Sequence, residues 1–146
     1  MTKTRTPVKI HITNIVRQMN AEEKTEMSVS GVFYQDENSH YLHYEEKQVA
    51  GVIRSVLKIS KEELLLLRSG AVSMRMHFFK DKKRSVASVD SGAGKLVFES
   101  ELIGYTEAFE KNPLSGKIAF QYDLLSGGAF IGSYEVNMRI EEEMNE

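Results

Sequence analysis

The sequence predicts an all-β domain of about eight to ten antiparallel strands, and three observations carry that expectation. Apolar and polar residues alternate with a period of two along most of the chain. Clusters of Gly, Asn, Asp and Ser interrupt the alternation at short intervals. The chain has 146 residues, 41% hydrophobic and 27% charged, which is the size and composition of one globular domain, taken here as residues 1–146.

A period of two sends one set of side chains to a buried face and the other to water. Val8, Ile10 and Ile12 alternate with Lys9, His11 and Thr13. Met27, Val29, Gly31 and Phe33 alternate with Ser28, Ser30, Val32 and Tyr34. Met74, Met76 and Phe78 alternate with Ser73, Arg75 and His77. Leu96, Phe98 and Leu102 oppose Glu99 and Glu101, and Tyr134, Val136, Met138 and Ile140 alternate with Glu135, Asn137 and Arg139. Turn chemistry separates the runs at Asp36–Ser39, Asp81–Lys83, Asp90–Gly94, Asn112–Gly116 and Ser126–Gly128. There glycine supplies positive φ, and Asn or Asp bonds its own backbone. The middle admits two readings. Val49, Val52, Ile53 and Val56 fit a helical stripe, and Ser60 with Glu63 forms a capping box before Leu64–Leu67. Gly51 and the β-branched Val52, Ile53, Val56 and Ile59 favour strands. So many hairpins in one domain leave a sandwich or a closed barrel, and closure removes exposed edges.

Nineteen Lys and Arg against 21 Asp and Glu give a net charge of −2, which singles out no class of partner. The absence of cysteine excludes disulfides, thiolate metal sites and thiol nucleophiles. The first apolar run, Val8–Val16, is broken by Lys9, His11, Thr13 and Asn14, so it is no signal-type block. No stretch approaches the roughly 18 apolar residues of a membrane helix. A cytoplasmic protein without a membrane partner is expected. Lys3, Arg5, Lys9 and Arg17 precede any acid, and four glutamates fall in the last six residues; both ends read as solvated termini.

Ordered along the chain, Tyr41-Leu42-His43-Tyr44-Glu45-Glu46, Leu57-Lys58-Ile59, Leu67-Arg68-Ser69-Gly70, Gly94-Lys95-Leu96-Val97-Phe98-Glu99-Ser100, Gly116-Lys117-Ile118 and Tyr122-Asp123-Leu124 form a series. That series resembles the bacterial YwiB-like family, a domain of unknown function, and spans nearly the whole chain. The resemblance implies a single up-and-down barrel of the calycin, lipocalin-like type and strands through the middle segment. It implies no activity. Ala93 and Ser100 depart from the family pattern, which places an aromatic and a threonine there.

The chemical motifs are weak. Gly92-Ala93-Gly94-Lys95 lacks the first glycine and the hydroxyl residue of a phosphate loop, because Val89 and Leu96 occupy those positions. His40 and His43 lie three apart on a strand and diverge, so no metal is expected. Glu45 and Glu46 diverge likewise, and no G-x-S-x-G elbow is present; an enzyme is not expected. Lys80-Asp81-Lys82-Lys83-Arg84 beside Phe78 and Phe79 reads as a solvated hairpin tip rather than a nucleic-acid surface. More informative are polar residues on buried faces. Glu46 follows Leu42 and Tyr44, Arg68 follows Leu64 and Leu66, and Tyr122 follows Ile118 and Phe120. A buried charge must find a partner, water or a ligand. Tyr44, Glu46, Arg68 and Tyr122 are therefore the expected interior site. Two uses are open: non-catalytic binding of a small, partly apolar, acidic molecule without cofactor, or a purely structural cluster. In the structural case the barrel is filled by its own side chains and works through an exposed strand or a homodimer face.

Overall fold

A computed structural model describes residues 5–90 and 92–143; Lys3, Ser91 of the Asp90–Gly94 turn and Glu146, the last of the four terminal glutamates, lie outside them. Ten strands follow one another along the chain without a helix among the described residues. They are β1 (Arg5–Gln18), β2 (Ala21–Gln35), β3 (Ser39–Gln48), β4 (Gly51–Ser60), β5 (Glu63–Gly70), β6 (Ser73–Phe79), β7 (Ser85–Asp90), β8 (Lys95–Glu110), β9 (Ser115–Ser126) and β10 (Ala129–Glu142). Each pairs antiparallel with the next, and β10 returns to pair with β1 from Val8↔Glu142 to Arg17↔Ser133. The result is a closed up-and-down barrel, and of the two architectures compatible with the alternation the sandwich is excluded.

The middle segment is strand throughout. β4 and β5 pair from Ile53↔Gly70 to Ile59↔Leu64, and only Lys61 and Glu62 separate them. Ile53, Ser55, Leu57 and Ile59 all point inward, a period of two that a helical stripe cannot satisfy. Val8, Ile10, Leu42, Leu57, Leu64, Phe78, Ile118 and Ile140 form the most deeply buried part of the core. Burial on this scale supplies the main driving force, on the order of 1.5–3 kcal/mol for each large apolar side chain.

Two bulges correct the periodicity. In β8 the register shifts between Leu102 and Gly104, so Ile103 is extra and Leu102 and Tyr105 both face inward, opposite Tyr122 and Phe120. In β10 a similar shift lies between Phe130 and Gly132. Two sequence expectations need correction. Leu96, assigned to the buried face, is 59% exposed, because the β7–β8 hairpin runs on beyond the packed interior. Lys80, assigned to a solvated tip, turns inward: its Nζ donates to the Ser60 carbonyl at 2.7 Å and lies 4.3 Å from the centre of the Tyr105 ring. Burial accordingly lowers its pKa.

Gly31 marks the point where β2 parts from β3. The two strands pair only from Gly31↔Tyr44 to Gln35↔His40, whereas β2 stays paired with β1 as far as Ala21. A Cβ at Gly31 would press on the His43 carbonyl oxygen and come within 2.8 Å of Ile10 Cδ1. Gly31→Ala is expected to cost about 1–3 kcal/mol by overpacking, read as a lower urea midpoint at unchanged slope. An unchanged midpoint would mean that this seam re-spaces freely.

Candidate functional site

One end of the barrel interior is apolar and full; the other is polar and hollow. Register explains how the polar end is assembled. Tyr44 on β3 lies across from Ser55 on β4, which lies across from Arg68 on β5, and Glu46 sits one inward position further along β3. Ser55, buried yet small, leaves space that a larger residue would fill, and Arg68 reaches back across β4 to Glu46. Arg68 Nη2 donates to Glu46 Oε1 at 2.8 Å, with side-chain exposures of 22% and 7%. Gln48 Nε2 donates to the other carboxylate oxygen at 3.2 Å. Glu46 is thereby held on both oxygens, but Arg68 Nε is buried and has no hydrogen-bond partner.

Tyr122 faces this pair from the opposite wall. Its ring stacks on Tyr134 at 5.1 Å and packs against Phe78 at 4.8 Å. Burial raises the pKa of Tyr122 and of Tyr44, and the positive charge of Arg68 acts on both in the opposite sense. All four residues singled out in the sequence border one cavity of about 420 Å³, together with Gln48, Leu66, Met74 and Phe120. That volume falls within the range of small-molecule sites, roughly 300–1,000 Å³. One flank is open: beyond Gly31 and Tyr44, Thr25 and Met27 of β2 face Glu46 and Gln48 of β3 with no ladder between them.

The arrangement offers a guanidinium with an unused N–H, two hydroxyls and an aromatic and aliphatic wall. It offers no nucleophile–base pair: Glu46 is already engaged, and Glu26, which also borders the cavity, is solvent-exposed and lies 3.7 Å from Lys24. Gln48 was missed in the sequence, although it simply continues the inward series Leu42, Tyr44, Glu46. Asn14 and Thr25, paired with each other across β1 and β2, line the same cavity and were missed because Asn14 reads only as a break in the run Val8–Val16 and Thr25 precedes the apolar part of β2. Among the described residues no group of three or more His, Cys, Asp or Glu could hold a metal ion. His40 and His43 do diverge: the His40 ring packs against Phe33 and Phe109, while His43 Nε2 is 2.6 Å from the Tyr34 hydroxyl.

Comparison with known proteins places this geometry in context. The family model described as a domain of unknown function, DUF1934, matches residues 10–138. The uncharacterized beta-barrel protein YwiB of Bacillus subtilis (strain 168) is 26% identical over 125 residues, covering 86% of each chain. The crystal structure of ywiB protein from Bacillus subtilis superposes with a TM-score of 0.83, at 24% identity, over 96% of this chain and 94% of that one. The likeness to that crystal structure is one of fold.

Two outcomes follow from the site. Arg68→Met or Glu46→Leu alone leaves an unpaired buried charge, with an expected loss of about 3–5 kcal/mol, less for Glu46→Leu because Arg68 retains some solvent. The double variant is expected to recover most of that loss, and a double-mutant cycle by urea denaturation measures the coupling. For the tyrosines, the folded chain keeps protons that the unfolded chain releases near pH 10, so stability holds below that value and falls as pH rises above it. Tyr122→Phe should flatten this alkaline decline, read from urea midpoints between about pH 9 and pH 11; an identical decline in the variant would rule out the buried hydroxyl as its source.

Proposed function

The chain belongs to the DUF1934 domain family, and from that premise we propose that it is a non-catalytic binding protein whose barrel takes a small, partly apolar, acidic ligand. The observation that carries the proposal is Arg68: it borders an open cavity, its guanidinium is fixed by Glu46, and its Nε is buried and unpartnered. A carboxylate or phosphate oxygen in the cavity would bond the guanidinium and, with a small shift of the Arg68 side chain, its Nε; charge-assisted bonds of this kind are the strong ones. Tyr44 and Tyr122 supply further donors, and Leu66, Met74 and Phe120 suit the apolar part of the ligand. Entry would run through the gap between β2 and β3. This is the manner of a calycin-type, lipocalin-like barrel, working without cofactor or metal. The cytoplasm is the proposed compartment, in keeping with a cysteine-free chain.

A second use, as an interaction module or homodimer, draws on a different observation. Val86 and Val97, at 60% and 58% exposure, lie on the β7–β8 hairpin, and neither borders the cavity. Sedimentation at high concentration separates the two, since a dimer through this hairpin would be lost in a Val86→Lys, Val97→Lys variant.

The binding proposal is tested by thermal shift with fatty acids, nucleotides and small organic acids. A ligand at 100 times its Kd adds about 2.7 kcal/mol, which is about 5–11 °C in Tm at this size. The Glu46→Leu, Arg68→Met double variant, which keeps the site uncharged but paired in kind, is expected to lose the response. No shift across the panel, together with no co-purified mass by native mass spectrometry, would sink the binding proposal.

A further inference from the structure

The outer surface carries a second and larger hollow, of about 790 Å³, crossing β8, β9, β10, β1 and β2. Its floor is half-buried, formed by His11, Thr13, Ala119 and Asn137, and the exposed Lys117 and Arg139 stand over it. None of these side chains borders the interior cavity.

Register makes this hollow unusual. Lys117 on β9 lies directly across from Arg139 on β10, and Arg139 lies directly across from His11 on β1. Like charges directly opposite each other destabilise a sheet. Elsewhere the same barrel mostly pairs opposite charges, Lys9 with Glu141, Glu45 with Arg54, Asp90 with Lys95 and Arg17 with Glu22, although Glu101 lies across from Asp123. The row Lys117, Arg139, His11 departs from that preference with three basic side chains on adjacent strands, and it does so at a broad outward concavity. The local carboxylates offset it only in part: Arg139 pairs with Glu141 at 3.8 Å, Glu26, which also borders the groove, lies 3.7 Å from Lys24, and Lys117 has no ion-pair partner among the described residues. His11 Nδ1 is 2.6 Å from the Ser28 hydroxyl, which fixes the ring and leaves Nε2 as its unused nitrogen.

We propose that this groove is an anion site for a polyphosphate group, with Lys117, Arg139 and His11 as successive contacts and Asn137 and Thr13 beneath them. The dimensions select the class. Neighbouring strands lie about 4.8 Å apart, so three basic side chains on three strands span about 10 Å. One carboxylate or one phosphate engages a single cation or an adjacent pair; a chain of phosphates engages all three. Arginine binds phosphate through its planar fork, and lysine as a point charge.

Tripolyphosphate is the probe, titrated into the intact chain by calorimetry at fixed ionic strength, with orthophosphate and a thymidine oligonucleotide as comparisons. Saturable binding of tripolyphosphate, at least tenfold tighter than orthophosphate, is expected. Lys117→Glu and Arg139→Glu should each weaken it tenfold or more while leaving Tm unchanged or raised, because each relieves a like-charge pair. Lys47→Glu, exposed on β3 outside the groove, and the Glu46→Leu, Arg68→Met variant should leave it unaltered. The site is overturned by no tripolyphosphate binding, by equal weakening in Lys47→Glu, which would reveal only a general charge effect, or by an oligonucleotide that outcompetes tripolyphosphate.

Discussion

The pairing of the first strand with the last is the constraint on which the rest of the molecule depends. β1 and β10 share a ladder from Val8↔Glu142 to Arg17↔Ser133, joining residues more than a hundred positions apart. Until that ladder forms, the sheet has two long edges and no interior. Once it forms, every inward residue on every strand faces a common axis, and alternation in sequence becomes a partition between inside and outside. The cost of bringing distant ends together grows only slowly with separation, so closure of a chain this long is thermodynamically accessible. Its kinetic cost is larger, since the meander has to be nearly complete before its ends can meet.

Closure also dictates what the interior can contain. Leu42, Leu57, Leu64, Phe78 and Ile118 are almost fully buried in the apolar part. At the other end the inward positions are Ser55, Tyr44, Glu46, Arg68, Asn14 and Thr25. A carboxylate at 7% exposure is tolerable because Arg68 and Gln48 occupy both of its oxygens. The guanidinium is less completely matched, and that imbalance is what distinguishes this end from an ordinary buried ion pair. The gradient from apolar to polar runs along the barrel axis, so a ligand with one apolar and one acidic end has a natural orientation.

Much of this was legible in the sequence because strands advertise themselves through period two. Glu46, Arg68 and Tyr122 stood out as polar residues in phase with apolar ones. That Glu46 and Arg68 meet was not legible, since it depends on the registers of β3 with β4 and β4 with β5. Turns with clusters of Gly, Asn, Asp or Ser were visible; those at Met19-Asn20, Val49-Ala50, Lys61-Glu62 and Ala71-Val72 were not, because they carry no such cluster, only isolated residues in or beside them such as Asn20, Gly51 and Gly70. Met19 even adopts a φ of 54° that its side chain does not favour. The inserted Ile103 shifted the phase of β8, and its one local sign was Gly104, an isolated glycine within a strand. The basic row on the outer face was invisible for the same reason as the ion pair: adjacency across strands is a property of register, and one sequence does not print it.

The unpaired stretch of β2 has a consequence of its own. Below Gly31 this strand has β1 on one side and no strand on the other, so even a closed barrel retains a segment of raw edge from Ala21 to Ser30. Such an edge could template the addition of a second chain and, repeated, a fibril. Glu22, Glu23, Lys24 and Glu26 stand exposed along it, three acids to one base. Two copies brought edge to edge there would set acid against acid, and self-propagating association is blocked by charge in the same place where the wall stays open.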